Sequence, residues 1–272
     1  MAHPNRLQNA HVLIFGGTSG IGFGVASMAL SHGAYVVISG SRQPKVDAQV
    51  AVLQSLYPLL SPNHVSGYAC DLNDSEKMES NLTALFDKAT EKGAKKLDHI
   101  VHCAGDLNHM MKLEEASVEG AMAAFRMRYA SIILIGKLLV SERYMTKSNT
   151  SSVTLTGGSL SEKPVPGMGL VAGGAAANEG IMRGLAVELQ PLRVNLVRPG
   201  VIKTPLVQPM IDALGPEGIQ KALKFMSLTG DMGYPEDIAE AYGWLMKDRF
   251  ATGAIADCTG GRVLAGPGFS GE

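Results

Sequence analysis

Apolar residues along this chain gather into short unbroken runs: HVLIF (11–15), AYVVIS (34–39), VSGYAC (65–70), DHIVHC (98–103), SVTLT (152–156), RVNLV (193–197) and AIADC (254–258). Runs of this length, rich in branched side chains and without strict alternation, read as strands buried on both faces. Most of the intervening stretches are long enough for a helix. The rhythm predicts βαβ units, and so an α/β fold: a doubly wound, mostly parallel, seven-stranded, Rossmann-like sheet in a single domain over residues 1–272. No internal repeat, low-complexity tract or linker divides it. Residues 118–146 read as one long helix, with Phe125, Ile132, Ile135 and Leu139 forming its apolar stripe. The least regular segment, 204–234, is rich in Met, Gly and Pro and is expected to be a substrate lid.

The turn after the first run reads GGTSGIG (16–22) and leads into a helical pattern. Glycines there permit a tight turn and let backbone N–H groups approach a pyrophosphate, with the helix N-terminus adding its partial positive charge. Taken alone, the cluster has a second reading, a tight strand-to-helix turn without a ligand. The spacing Gly16, Gly20, Gly22 also differs from the commoner GxGxxG.

The turn is followed, in order, by CDL (70–72), CAG (103–105) and RPGVIKTPL (198–206), each closing a strand. With these motifs the chain resembles the short-chain dehydrogenase/reductase superfamily from about residue 10 to ATGAIADCTGG (251–261). The resemblance implies that Gly16, Thr18, Ser19, Gly20, Ile21 and Gly22 cradle the cofactor phosphates. It places Asp71 and Leu72 at the adenine, Ala104 and Gly105 at the ribose, and Ile202 and Thr204 at the nicotinamide carboxamide. His102 departs from the family's usual NNAG and reads as structural. Strand two ends ISGSR (38–42), with no carboxylate before Asp47, so a 2′-phosphate is tolerated beside Ser41, and Arg42 is placed to grip it with a forked contact. The cofactor expected is NADP(H).

The family's catalytic set does not carry over. Aligned on the helix that usually begins with the acid tyrosine, Val171 stands at the tyrosine and Ala175 at the lysine. The serine position falls on Gly157 or Gly158, with Ser159 and Thr156 as neighbours able to substitute, and the asparagine position becomes Arg128. The candidate catalytic residues are therefore Arg128 and Ser159. Arg128 lies on the apolar stripe, and an inward guanidinium needs an anion or carbonyls; substrate, cofactor or Glu162 are its candidate partners, and edge snorkelling is the alternative. The pattern VTLTGG…KPVPG…AAANEGIMRGLAVELQPLRVNLVRPG is similar to a tyrosine-lacking branch found in bacteria and fungal secondary metabolism. Some of its alkaloid-pathway members reduce imines or aldehydes with NADPH and guide a Diels–Alder cyclisation. They pair the inward arginine with an aspartate after a PxP turn, where this chain has Gly167.

Composition changes the picture only by exclusion. A formal net charge of -1 without a basic cluster argues against nucleic-acid binding. The longest apolar stretch, SIILIGKLLV (131–140), is too short for a bilayer, and the N-terminal residues lack secretory-signal features, so a cytoplasmic protein without membrane contact is expected. Three cysteines, Cys70, Cys103 and Cys258, read as reduced buried thiols, with no metal implied. Small residues along the 171–190 helix suit a homodimer or homotetramer. The reading is an NADPH-dependent reductase passing hydride to an imine, iminium or carbonyl of an apolar biosynthetic small molecule. A site without lysine suits a cationic acceptor. The alternatives are a non-redox cyclase keeping NADP as a scaffold, and a cofactor-binding sensor.

Overall fold

The computed structural model of the chain describes residues 2–106 and 113–266. All seven apolar runs are strands: β1 (His11–Phe15), β2 (Tyr35–Gly40), β3 (Val65–Ala69), β4 (His99–His102), β5 (Ser152–Thr156), β6 (Arg193–Pro199) and β7 (Ile255–Cys258). They pair in parallel throughout, in the order β3-β2-β1-β4-β5-β6-β7. Side chains of one strand feed two cores. Val12 and Ile14 of β1 enter the layer built with α1 (Gly20–Ser31), α2 (Gln43–Leu56) and α8 (Pro235–Lys247), while Leu13 and Phe15 enter the layer built with α3 (Met78–Ala89), α5 (Ser131–Leu139) and α6 (Gly169–Glu188). Both faces being covered is why the strands read as continuous apolar runs. The order reverses between β1 and β4, and a crevice opens there at the carboxyl ends of the strands. Among the described residues no helix is long and apolar enough to cross a membrane.

The single helix expected over 118–146 is instead three pieces: α4 (Val118–Phe125), a π-helical turn (Arg126–Ala130) and α5, which stops at Leu139. The side chain of Ser131 explains the break. Its hydroxyl donates to the carbonyl of Met127 and accepts from Nε2 of His102 at 3.0 Å, so a strand residue fixes the ladder where the extra residue enters. Arg128 therefore projects from a widened turn, and not from a straight stripe. Past α5, Glu142 takes a positive φ of 55° that no continuing helix tolerates.

The irregular segment 204–234 holds α7 (Gln208–Met226), broken by Gly215 at φ 65° ahead of Pro216. The three cysteines are free thiols. Burial raises Cys70 to about 12, with the Asp71 charge adding to it, and raises Cys103 to about 11, which leaves both protonated.

His102 is buried, and desolvation, reinforced by the Arg128 charge, lowers its pKa from 6.5 to about 4. The unfolded chain takes up this proton near pH 6.5 and the folded chain only near 4. Stability present above pH 6.5 is thus lost as pH falls toward 4, by on the order of 3 kcal/mol from this residue. Melting curves from pH 7.5 to 4 should show that loss, and His102→Asn should flatten the slope between pH 6.5 and 4; an unchanged slope contradicts the assignment.

Candidate functional site

A cleft of about 550 Å³ lies over the carboxyl ends of β1, β4, β5 and β6. Its floor is bare backbone. Gly16 has φ 72°, and a Cβ there would lie 2.7 Å from the amide nitrogen of Ala104; a Cβ on Gly22 would lie 2.3 Å from the carbonyl oxygen of Gly16. Only glycine allows the β1 turn to press on β4 and α1 to start directly above it. Ser19 precedes α1 in an extended conformation without a side-chain cap bond, so the positive end of the helix faces the cleft uncapped. This is a cradle suited to a pyrophosphate.

Gly16, Thr18, Ser19, Gly20, Ile21, Gly22, Ser41, Asp71, Leu72, Ala104, Gly105, Ile202 and Thr204 all line this one cleft. Arg42 does not: it is exposed, at the N-cap of α2, directly after the lining residue Ser41. Asp71 accepts the Asn73 amide at 2.9 Å through Oδ1, which fixes the loop leaving β3. The residues present therefore fit a nicotinamide dinucleotide along its length.

The other end of the cleft holds Arg128 and Ser159. The Arg128 guanidinium is pressed so closely on Gly105 that a Cβ there would lie 2.1 Å from its Nε. Burial lowers the Arg128 pKa, and the charge of Asp106, another lining residue, is the first influence opposing that shift. Glu162, one of the candidate partners of Arg128, is engaged elsewhere, 2.7 Å from Arg198, which also holds Glu179 at 3.0 Å and Asp257 at 2.6 Å. Arg198 outcompetes Arg128 for Glu162 because it gathers three carboxylates around one buried guanidinium. Thr156, considered beside Ser159 as a substitute hydroxyl, is also committed: it donates to the His102 carbonyl at 2.8 Å and pairs with the Tyr242 hydroxyl at 2.7 Å.

Val171 lines the cleft and Ala175 is buried behind Gly158. Among the described residues, neither tyrosine nor lysine lines the cleft. Gly167 adopts φ 79°, a conformation an aspartate would hold only under strain. Over this end lie Leu206, Val207, Met210 and Met226 of the 204–234 segment, facing Val165 and Met168. Two charged residues escaped the sequence reading. Asp106 directly follows the CAG motif and so was within reach of it; Arg262 also lines the cleft, yet only the Gly260–Gly261 pair ahead of it hints that the chain turns back.

Comparison with known proteins agrees with this geometry. A family model described as an SDR-like Rossmann domain matches residues 3–265. The short-chain dehydrogenase/reductase MalC of Malbranchea aurantiaca is 39% identical over 260 residues, covering 95% of this chain and 96% of its own length. The short-chain dehydrogenase/reductase ATR9 of Stachybotrys chlorohalonatus is 34% identical over 258 residues, covering 95% and 98%. Among solved structures, that of the MalC reductase/Diels-Alderase superposes with a TM-score of 0.86 at 38% identity, covering 96% of this chain and 98% of that one.

The contact between Arg128 and Gly105 is directly testable. Gly105→Ala should destabilise the fold by about 1–3 kcal/mol through overpacking, and the same change in an Arg128→Ala background should cost less by about 1 kcal/mol or more. Denaturant titration of the four proteins measures this; additive effects would show that the two residues do not touch.

Proposed function

Because this chain belongs to the short-chain dehydrogenase/reductase family, we propose that it is an NADPH-dependent reductase of secondary metabolism. It acts on a carbonyl or imine of an apolar biosynthetic intermediate without a tyrosine acid. The observation that carries this reading is one cleft joining an uncapped glycine-turn cradle to an apolar end in which Arg128 is held against Gly105. Bound NADPH would supply the hydride there.

The protein's own residues account for the rest. As hydride adds to the acceptor carbon, the electron pair of the C=O or C=N bond moves to the heteroatom, and the Arg128 N–H groups are available to hold that charge. Arginine does not release a proton at ordinary pH, so the proton that completes the alcohol or amine comes from water. Leu206, Met210, Met168 and Val171 enclose an apolar substrate and limit bulk solvent, which strengthens the arginine's effect. Two guanidinium groups, Arg128 and Arg262, line this cleft, and Asp106 offsets one of them; the balance favours a neutral acceptor over the iminium cation.

A second reading, a cyclase that uses the cofactor as a scaffold, is supported by the likeness to the MalC reductase/Diels-Alderase and by the apolar enclosure. Gly167 at φ 79° weighs against it, since the acid of the related cyclases has no counterpart at that residue. The outward face of α6, where Gly173, Gly180 and Gly184 have nothing within 4 Å of a would-be Cβ, supports assembly as a homodimer or homotetramer.

With stereospecifically deuterated NADPH and a panel of apolar aldehydes and imines, deuterium should appear in the product. Arg128→Met should lower kcat/KM by about 10²–10³-fold. Turnover without cofactor oxidation would favour the cyclase. For cofactor choice, NADPH should bind more tightly than NADH, and Arg42→Ala should weaken NADPH by roughly 10-fold while leaving NADH unchanged; equal affinities in the parent protein overturn the NADPH assignment.

A further inference from the structure

Beyond β7 the chain turns back over the substrate end of the cleft. Gly260 and Gly261 take φ values of 62° and 75°, which reverse the backbone, and the Leu228 amide donates to the Gly260 carbonyl at 2.6 Å. Lys163 holds the next stretch from the other side, donating from Nζ to the carbonyl of Arg262 at 2.9 Å and to that of Ala265. The turn is thus fixed at its backbone, and the Arg262 side chain is delivered into the cleft.

Arg262 is 3% exposed, and its Nη1 donates to Oγ of Ser159, itself 6% exposed, at 3.0 Å. Among the described residues no carboxylate lies within 4 Å of this guanidinium, and Ser159 is its side-chain hydrogen-bond partner. Arg262 lines the cleft, and among the described residues its Nε and Nη2 make no hydrogen bond. A buried guanidinium with one neutral partner carries an uncompensated charge. The contrast with Arg193 is direct: equally buried, it donates to the carbonyls of Asn149, Leu245, Met246 and Ala251, so that each of its three nitrogens is engaged.

We infer that Arg262 and Ser159 form an anchoring subsite for a carboxylate carried by the substrate, separate from the group reduced beside Arg128. With Nη1 committed to Ser159, the Nε–Nη2 edge remains, and two parallel N–H donors match the two oxygens of a carboxylate. Ser159 accepts from Arg262, which leaves its own hydroxyl proton for the same anion. The chemistry of the ligand is then an apolar body with an acid at one end. This substrate class rests on the reductase reading for its second, reacting end; the anchoring end does not.

Calorimetry on the NADP⁺-saturated protein with benzoate and benzyl alcohol tests the subsite without turnover. Benzoate should bind at least ~10-fold more tightly, Arg262→Met should abolish that preference, and Arg262→Lys should keep part of it, with NADP⁺ affinity unchanged in both. Ser159→Ala, which removes only a hydroxyl, should weaken benzoate ~3-fold or more and leave benzyl alcohol alone; this variant serves if Arg262→Met fails to fold. No preference in the parent protein, equal losses for both probes, or a loss of NADP⁺ affinity would overturn the proposal. Turnover with 4-formylbenzoate and benzaldehyde separates the two readings. Carboxylate-selective binding without NADPH oxidation of either aldehyde supports the subsite and refutes reduction of such acceptors. Reduction of both at equal efficiency supports the reductase and overturns the subsite.

Discussion

The approach of one bare backbone to another, the Gly16 turn against the Ala104–Gly105 segment, is the constraint on which the rest of the cleft depends. A single methyl at Gly16 would fall within 2.9 Å of three backbone atoms, so β1 and β4 could not end side by side as they do. That contact sets the floor at the reversal of strand order, brings the start of α1 over it, and leaves Gly105 facing the opposite wall. The same absence of side chains then recurs one layer up, where Gly105 receives the guanidinium of Arg128. Arg128 reaches it because the helix above is widened by one residue, and the widening is held by a chain from His102 through Ser131 to the Met127 carbonyl. A strand residue beside the cofactor cradle thus determines where a residue of the substrate end points.

Four guanidinium groups in this chain show how their surroundings sort arginines closed within the protein from those that line the cleft. Arg193 is answered by main-chain carbonyls and Arg198 by three carboxylates, so both are closed within the protein. Arg128 and Arg262 instead line the cleft, and the groups beside them are a glycine and a serine. Desolvation disfavours their charged forms, yet arginine keeps its proton, so the strain is expressed as an electrostatic demand on whatever enters. Glu162, one of the candidate partners the sequence offers Arg128, meets Arg198 instead, and among the described residues Asp106 is a carboxylate whose charge acts on Arg128.

The strands were legible because burial on both faces writes an unbroken apolar run, and each observed strand lies within two residues of its run. The cofactor end was legible for a related reason: glycines at a strand-to-helix turn are dictated by local backbone geometry, and Gly16, Gly20 and Gly22 all lie where the spacing put them. The substrate end depends on tertiary events. Periodicity carried the 118–146 helix through a π-turn that a residue on another element enforces, and past Glu142, whose positive φ no propensity announces. Arg262 looked like any surface charge after a glycine pair. Its importance comes from Lys163, 99 residues away in sequence, which pins the turn that carries it.

The charge balance of the cleft also alters the reading of its missing acid. From the sequence, losing a lysine lowers the repulsion felt by a cation, which argues for an iminium acceptor. The fold returns two fixed cations to the same cleft, which offsets what one absent lysine relieves. Asp106 offsets one of them. With Arg262 uncompensated, the enclosure is complementary to negative charge, whether resident on the substrate or appearing as hydride arrives. A reductase without a tyrosine acid can then lower its barrier by holding the developing anion and letting water deliver the proton afterwards. On the proposed function the blandness of Val171 and Ala175 would follow from that division of labour, since the charge would be handled by residues that the fold, and not the motif, brings to the cleft.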